Sequence, residues 1–205
     1  MPPRSTPTRV APALLAAALL AAVPPGAAGA QDTPAGVRPY RFTVEGLVAQ
    51  SYLNDDLVGG DKNALGGYGV RVLFNRSTPA ATLRNLAQRA SVGAFFVGGG
   101  EQGALDAKFA HYGVQADVSM FPRPAFRGTL DPFFSLGVGG LRTTYSPRSG
   151  TGDIKKTRLA VTPAIGTRLS LLQGFGLRGD LRAPVVFGNS TTVNAAAEGG
   201  VFVSF

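Results

Sequence analysis

One histidine occurs in the 205 residues, His111, in the stretch "FAHYGVQAD". With Asp117 on the same phase of an alternating segment, it supplies a base and an acid for acyl transfer. A nucleophilic hydroxyl must still lie within hydrogen-bond reach of the ring. Gly113 stands two residues on, where a histidine-x-serine pair would place that hydroxyl, and Ser51, Ser146 and Ser190 reach the ring only by folding inward. The expected role of His111 is therefore a polar side chain in an interior network, and no catalytic residue is assigned. "LNDDLVGGDKN" gathers Asp55, Asp56 and Asp61 but lacks the spacing and twelfth-position glutamate of a calcium loop. It reads as a solvated loop, and no metal ligand is assigned. "FFVGGGEQGA" (95–104) is rich in glycine, yet a strand pattern and no helix follows it. A phosphate cradle needs the helix, so no cofactor is expected. The chain has no cysteine, which removes thiolate chemistry and disulfides together.

The charges that do fall in a pattern are Glu45, Arg71, Asp117, Arg168, Arg178, Asp180, Arg182 and Glu198. Each occupies the polar phase of a segment that alternates with period two, the signature of a strand with two unlike faces. "YRFTVEGLV" sets Tyr40, Phe42, Val44 and Val48 against Arg41, Thr43 and Glu45. "YGVRVLF" sets Tyr68, Val70, Val72 and Phe74 against Arg71, and "HYGVQADVSM" sets Tyr112, Val114, Ala116 and Val118 against His111, Gln115 and Asp117. "PFFSLGVGG" sets Phe134, Leu136 and Val138 against Ser135, Gly137 and Gly139. "RASVGAFFV", "RLAVTPAIGTRL", "FGLRGDLRA" and "NAAAEGGVFVSF" complete eight candidate strands. No heptad repeat competes, and the best helical stretch is short, Pro79 to Gln88. Residues 50–63, 97–106, 146–156 and 184–192 read as the longer loops. Of the other connections, 121–129 and 170–174 are compact and 75–88 is long. The expectation is an all-β protein, a closed eight-stranded antiparallel up-and-down barrel that crosses a membrane.

Alternation alone does not say which face points outward. Four features set the charges inside. The eight inward candidates are four acids and four bases, a set able to pair with itself, as buried charges must. On the apolar phase the charges are Lys108 and Arg142, both at loop-side strand ends, where long cations reach the interface. The polar phase also carries Gly67, Gly69, Gly137, Gly139, Gly166 and Gly176, as a crowded interior requires. The aromatics form two groups by depth, Tyr40, Phe42, Phe74, Phe121, Phe134, Phe175 and Phe205 at one end and Tyr52, Tyr68, Tyr112, Tyr145 and Phe187 toward the other. An eight-stranded barrel is just wide enough to fill with side chains, so a plugged polar lumen is expected. Pro163 lies inside a strand of a barrel that has no free edge, which predicts a bulge there.

At the N-terminus, Arg4 and Arg9 precede an apolar run and "AGA" at 28–30, the pattern of a cleaved secretory signal over residues 1–30. Residues 31–36 form a short segment before a single domain, 37–205. The formal charge of +8 becomes +6 when Arg4 and Arg9 leave with the signal. The remaining bases are scattered, with no run longer than Lys155-Lys156, so nucleic acid is not expected as a partner.

"GGVFVSF" (199–205) places apolar Val201 and Val203 at alternate positions before aromatic Phe205. With "DPFFSLGVGG" (131–140) and "GLRGDLR" (176–182), it resembles the small outer-membrane β-barrel family, the eight-stranded type of the OmpA membrane domain and OmpX. The resemblance spans residues 37–205. It implies an outer-membrane location in a diderm bacterium and outer-membrane lipid as surroundings. It also implies that Val201, Val203 and Phe205 form an assembly signal for the barrel assembly machinery. The expected protein is a non-enzymatic monomer with a structural role or a binding role through its loops. Three rivals stay open: a soluble secreted or periplasmic barrel that carries an apolar ligand as lipocalins do, a narrow small-solute channel, and a lipid-modifying enzyme built on His111.

Overall fold

The computed structural model describes residues 42–53, 63–75, 90–101, 105–121, 129–147, 152–172 and 174–205. The signal at 1–30, Tyr40, the Asp55–Asp61 stretch and the helical candidate at 79–88 lie outside the described residues. The strands are β1 (Phe42–Leu53), β2 (Asn63–Asn75), β3 (Ala90–Glu101), β4 (Leu105–Ser119), β5 (Leu130–Pro147), β6 (Ile154–Leu172), β7 (Phe175–Arg182), β8 (Val185–Phe187), β9 (Thr192–Val193) and β10 (Ala195–Ser204). Each pairs antiparallel with its neighbours. The pairs β5–β6 and β1–β10 close the sheet, so no strand edge among them is free. β7 with β8, and β9 with β10, are single staves in two pieces, and eight staves make the barrel.

The side chains sort by phase. Val114, Leu136 and Leu181 are 59%, 54% and 63% exposed on the outer wall, whereas Arg71 and Asp117 are 1% and 0% exposed within. The segment at 90–97, which alternation leaves ambiguous, resolves with Val92 and Phe96 outward and Phe95 and Val97 inward.

Four details depart from the sequence reading. Pro163 makes no bulge. Its carbonyl accepts a hydrogen bond from the Ala183 amide at 2.9 Å. In an antiparallel ladder a residue's donor and acceptor face the same neighbour, so the missing donor faces 183–184, where the pairing lapses. The register of Ala164 with Arg182 resumes unchanged as Val161 with Val185. One bond is lost and no residue is inserted; the register shift in β6 lies instead between Ser170 and Leu172.

The ladder also runs on into stretches that read as loops. Gly98, Gly99 and Gly100 pair with Ala110, Phe109 and Lys108, leaving only 102–104 between β3 and β4. The glycines permit close packing: a Cβ on Gly67 would stand 2.9 Å from the Phe109 ring. The connections 54–62, 102–104, 148–153 and 188–191 therefore lie at one rim. Those at 76–89 and 120–129, at the rim of the strand termini, are no shorter.

Tyr145 does not stand with the outer aromatics. It is buried inside with Leu53, Leu65, Phe109 and Leu141. Val203 shares the phase of Phe205 but is only 6% exposed, with Val44 and Phe175 beside it in register.

Candidate functional site

The barrel interior is the place where ionisable groups meet. Period-two alternation carries all eight ionic candidates to the inner face: Glu45 on β1, Arg71 on β2, Asp117 on β4, Arg168 on β6, Arg178, Asp180 and Arg182 on β7, and Glu198 on β10. Each of them is buried, and they touch one another across the bore. Arg71 donates to Glu45 at 3.0 Å, to Asp180 at 3.3 Å and to Glu198. Arg178 donates to Glu45 at 3.0 Å, to Asp117 at 2.6 Å and, through Nε, to Asp180 at 2.8 Å. Arg182 Nε bridges Asp180 at 3.0 Å and Glu198 at 2.8 Å. Arg168 donates to Asp117 and lies 3.7 Å from both Glu45 and Asp131.

Four groups that the charge pattern does not single out complete the layer. Gln115 links Arg182 to Asp117, accepting at 2.9 Å and donating at 2.8 Å. Asp131 adds a fifth carboxylate at the terminal rim. Phe133, fully buried, lies under the guanidinium groups of Arg168 and Arg178, 4.5 and 4.2 Å from its centroid. Phe95 lies 5.5 Å from that of Arg182. Such faces attract cations through the ring quadrupole. The signal for both rings was present in the doublets Phe95-Phe96 and Phe133-Phe134. Consecutive strand residues face opposite sides, so one ring of each pair must point inward.

The interior is not polar throughout, which corrects the expected polar lumen. Toward the loop rim, Leu47, Leu53, Leu65, Val97, Phe109, Leu141 and Val186 form a continuous apolar layer. His111 lies within the barrel, 5% exposed, its Nε2 3.2 Å from Thr162 Oγ1 and its ring edge-on to Phe95 at 4.8 Å. Asp117, its possible orienting acid, is engaged by Arg168, Arg178 and Gln115. Ser51 lies inside β1, Ser146 hydrogen-bonds Asp153 at 2.7 Å, and Ser190 stands in the 188–191 connection. Among the described residues no cluster of three histidine or carboxylate side chains is placed to hold a metal ion. Chemically, the arrangement is a set of acids and bases paired with one another across the bore.

No protein-family model matches the chain, and no curated protein matches it. Solved structures do. Neisserial surface protein A aligns with a TM-score of 0.62 at 12% identity, over 80% of this chain and 97% of that one. Ail, the attachment invasion locus protein of Yersinia pestis, aligns at 0.54 and 14%, over 80% and 97%. OprG of Pseudomonas aeruginosa, an outer membrane protein, aligns at 0.51 and 10%, over 83% and 98%. The fold is that of the small outer-membrane β-barrels. In this barrel the last strand closes on the first: Phe205 stacks on Phe42 with centroids 5.0 Å apart, and the Phe205 amide donates to the Phe42 carbonyl at 2.9 Å. Val201, Val203 and Phe205 thus lie along the closing seam.

Proposed function

We propose that the protein is an integral outer-membrane barrel, exported by its N-terminal signal and inserted through its C-terminal strand by the barrel assembly machinery. It is a non-enzymatic monomer surrounded by outer-membrane lipid, with a structural or binding role at the loop rim. One observation carries the reading, the inverted polarity. An outer wall of exposed Val48, Tyr68, Val92, Phe96, Val114, Leu136, Leu159 and Leu181 would be an aggregation surface in water. Against acyl chains it is the favourable surface, and the charges it would otherwise expose are neutralised within. The same observation argues against a soluble lipocalin-like carrier, whose apolar phase would point inward and leave room for a ligand. The filled bore argues against a diffusion channel, and the engagement of Asp117 by Arg168, Arg178 and Gln115, which takes up the acid that would orient His111, argues against a hydrolase.

The test is extraction and gel mobility. The protein should leave the cell envelope only with detergent, and should run at a different apparent mass before and after boiling. Recovery in the soluble fraction, with one mobility throughout, would refute the reading.

A further inference from the structure

Among the described residues, the most exposed large apolar side chain is not on the wall. It is Leu172, at 72%, where β6 turns into β7 at the terminal rim, with Leu171 beside it at 50%. Alternation assigns Leu172 to the inner phase of Arg168 and Ser170, and Leu171 to the outer phase of Leu169. The register shift in β6 changes that. Ser170 pairs with Gly176, but Leu172 pairs with Phe175, one residue out of step. Phe175 belongs to the outer row, opposite Val203. An extra residue on one strand re-aims the side chains that follow it. The bulge thus exposes two consecutive leucines, whereas a regular strand sends neighbours to opposite faces.

The turn is held in place. The Ser170 amide donates to the Thr129 carbonyl at 2.8 Å, and the Gly174 carbonyl accepts from the Ser204 amide at 2.7 Å. Gly174 has a φ of 74°, the left-handed conformation that glycine permits at a tight turn. Neighbouring staves therefore fix both flanks. From Ser170 to Gly176 the sequence carries no charge.

Register also sets the depth of the turn. The outer rung that starts at Phe42 passes Phe74, Val92, Ala116 and Leu136 to reach Pro163. It goes on through Ala183 and Ala195 and meets β1 again at Tyr52. One circuit thus climbs from residue 42 to residue 52, and the five steps to Pro163 climb about six residues. The descent along β6 from 163 to 171 is longer by about two residues, roughly 4 Å of barrel height. Leu171 and Leu172 therefore lie beyond the level of the aromatic Phe42. They continue the outer row of Leu130, Leu169, Leu177 and Val201 directly above them.

We infer that Leu171 and Leu172 form an anchoring surface for the acyl chains of the leaflet at the terminal rim, set beyond the aromatic Phe42 by the β6 bulge. The inference rests on the membrane reading above. Continuity with the lipid-facing row names acyl chains as the occupant, since water is an unfavourable neighbour for paired exposed leucines.

The protein has no tryptophan, so a single introduced ring reports alone. The full barrel carrying L172W, V114W or S190W is reconstituted in phosphatidylcholine vesicles, with or without bromine on the acyl chains, and with iodide on both sides of the bilayer. V114W marks the wall and S190W the loop rim. L172W should emit to the blue and lose intensity to brominated chains, as V114W does. It should resist iodide, which should quench S190W severalfold more strongly. Emission and iodide quenching of L172W equal to those of S190W would overturn the anchor. So would protection present in native envelopes and lost in vesicles, because a partner protein would then cover the leucines. Heat-modifiable mobility shows that each variant is folded, and L171W supplies the same reading one residue earlier. A protected V114W with an open L172W sinks only this inference, whereas a V114W open to iodide sinks the membrane reading beneath it.

Discussion

Replacing Arg71 by Met tests whether the interior behaves as a dry ionic lattice. The side chain is 1% exposed and reaches three carboxylates on three strands, Glu45, Asp180 and Glu198. Removing one partner of a buried ion pair costs about 3–5 kcal/mol, because the remaining charge is stranded. Here no acid is fully stranded. Asp180 keeps Arg178 and Arg182, Glu45 keeps Arg178, and Glu198 keeps Arg182. The eight ionic groups nevertheless pass from four acids and four bases to four and three. A loss near the lower bound, about 3 kcal/mol, is expected. Adding E198Q removes the surplus carboxylate, so the double variant should lose less than the sum of the singles by roughly 1–3 kcal/mol. Reversible urea unfolding in phospholipid vesicles, read from the mobility of unboiled samples, measures all four species of the cycle. The outward Arg142→Met, at the same loss of one charge, should stay within about 0.5 kcal/mol of the parent. If R71M is as stable as R142M, the interior is wet and screened, and the lattice argument fails.

The remaining predictions address the wall, the packing, the bore and the seam. Val114→Lys places a cation at mid-strand on the outer face and should cost about 2–4 kcal/mol in vesicles; a neutral effect in the same urea assay would mean that this face sees water. Gly166→Ala should cost about 1–3 kcal/mol, since its Cβ would stand 2.6 Å from the Phe133 ring and 2.5 Å from the Asp180 Cβ; an unchanged midpoint would show slack in the ionic layer. The reconstituted barrel should give no steady current in a planar bilayer, because apolar and ionic layers fill the bore in series, and a persistent conductance would refute that packing. Phe205→Ala should sharply reduce barrel yield in the outer membrane, while the barrel refolded in detergent loses only about 1 kcal/mol with the Phe42 stack. Equal losses in both settings would make the terminal aromatic a packing residue and no assembly signal.

Architecture was legible because period two is a hard geometric constraint. Once Val114, Ala116 and Val118 share a phase, Gln115 and Asp117 must share the other, and a register slip would exchange every side chain between lipid and interior. The charge pattern therefore named the inward ions without any coordinates. Three things were hidden. The apolar half of the interior was hidden because Leu47, Val97, Phe109 and Leu141 look alike in sequence whether they meet lipid or one another. Strand ends were misplaced because glycine usually marks a turn, whereas Gly98–Gly100 is extended strand paired with Ala110, Phe109 and Lys108. The effect of Pro163 depended on what its missing donor faces, and that is a property of the neighbouring stave, where Pro184 follows Ala183. Asp131, separated by one position from the inward Phe133, joins the ions only because β5 begins where Arg168 reaches the terminal rim.

The position of the ions bears on the shape of the barrel as well as on its charge. Backbone hydrogen bonds join each stave only to its two neighbours, so they close the wall yet leave the cylinder free to flatten. Several of the ion pairs join strands that are not neighbours. Arg71 to Asp180 ties β2 to β7, Arg178 to Asp117 ties β7 to β4, and Arg168 to Glu45 ties β6 to β1. These are struts across the bore, and they fix its cross-section in a way that no ladder bond can. Their strength depends on the dielectric around them, which falls as water is excluded. The apolar layer of Leu53, Leu65, Phe109 and Leu141 lies between the struts and the loop rim and keeps water from that side. Each layer thus needs the other: matched charges hold the wall at the width that the apolar side chains fill, and the filled layer keeps the charges dry enough to hold it.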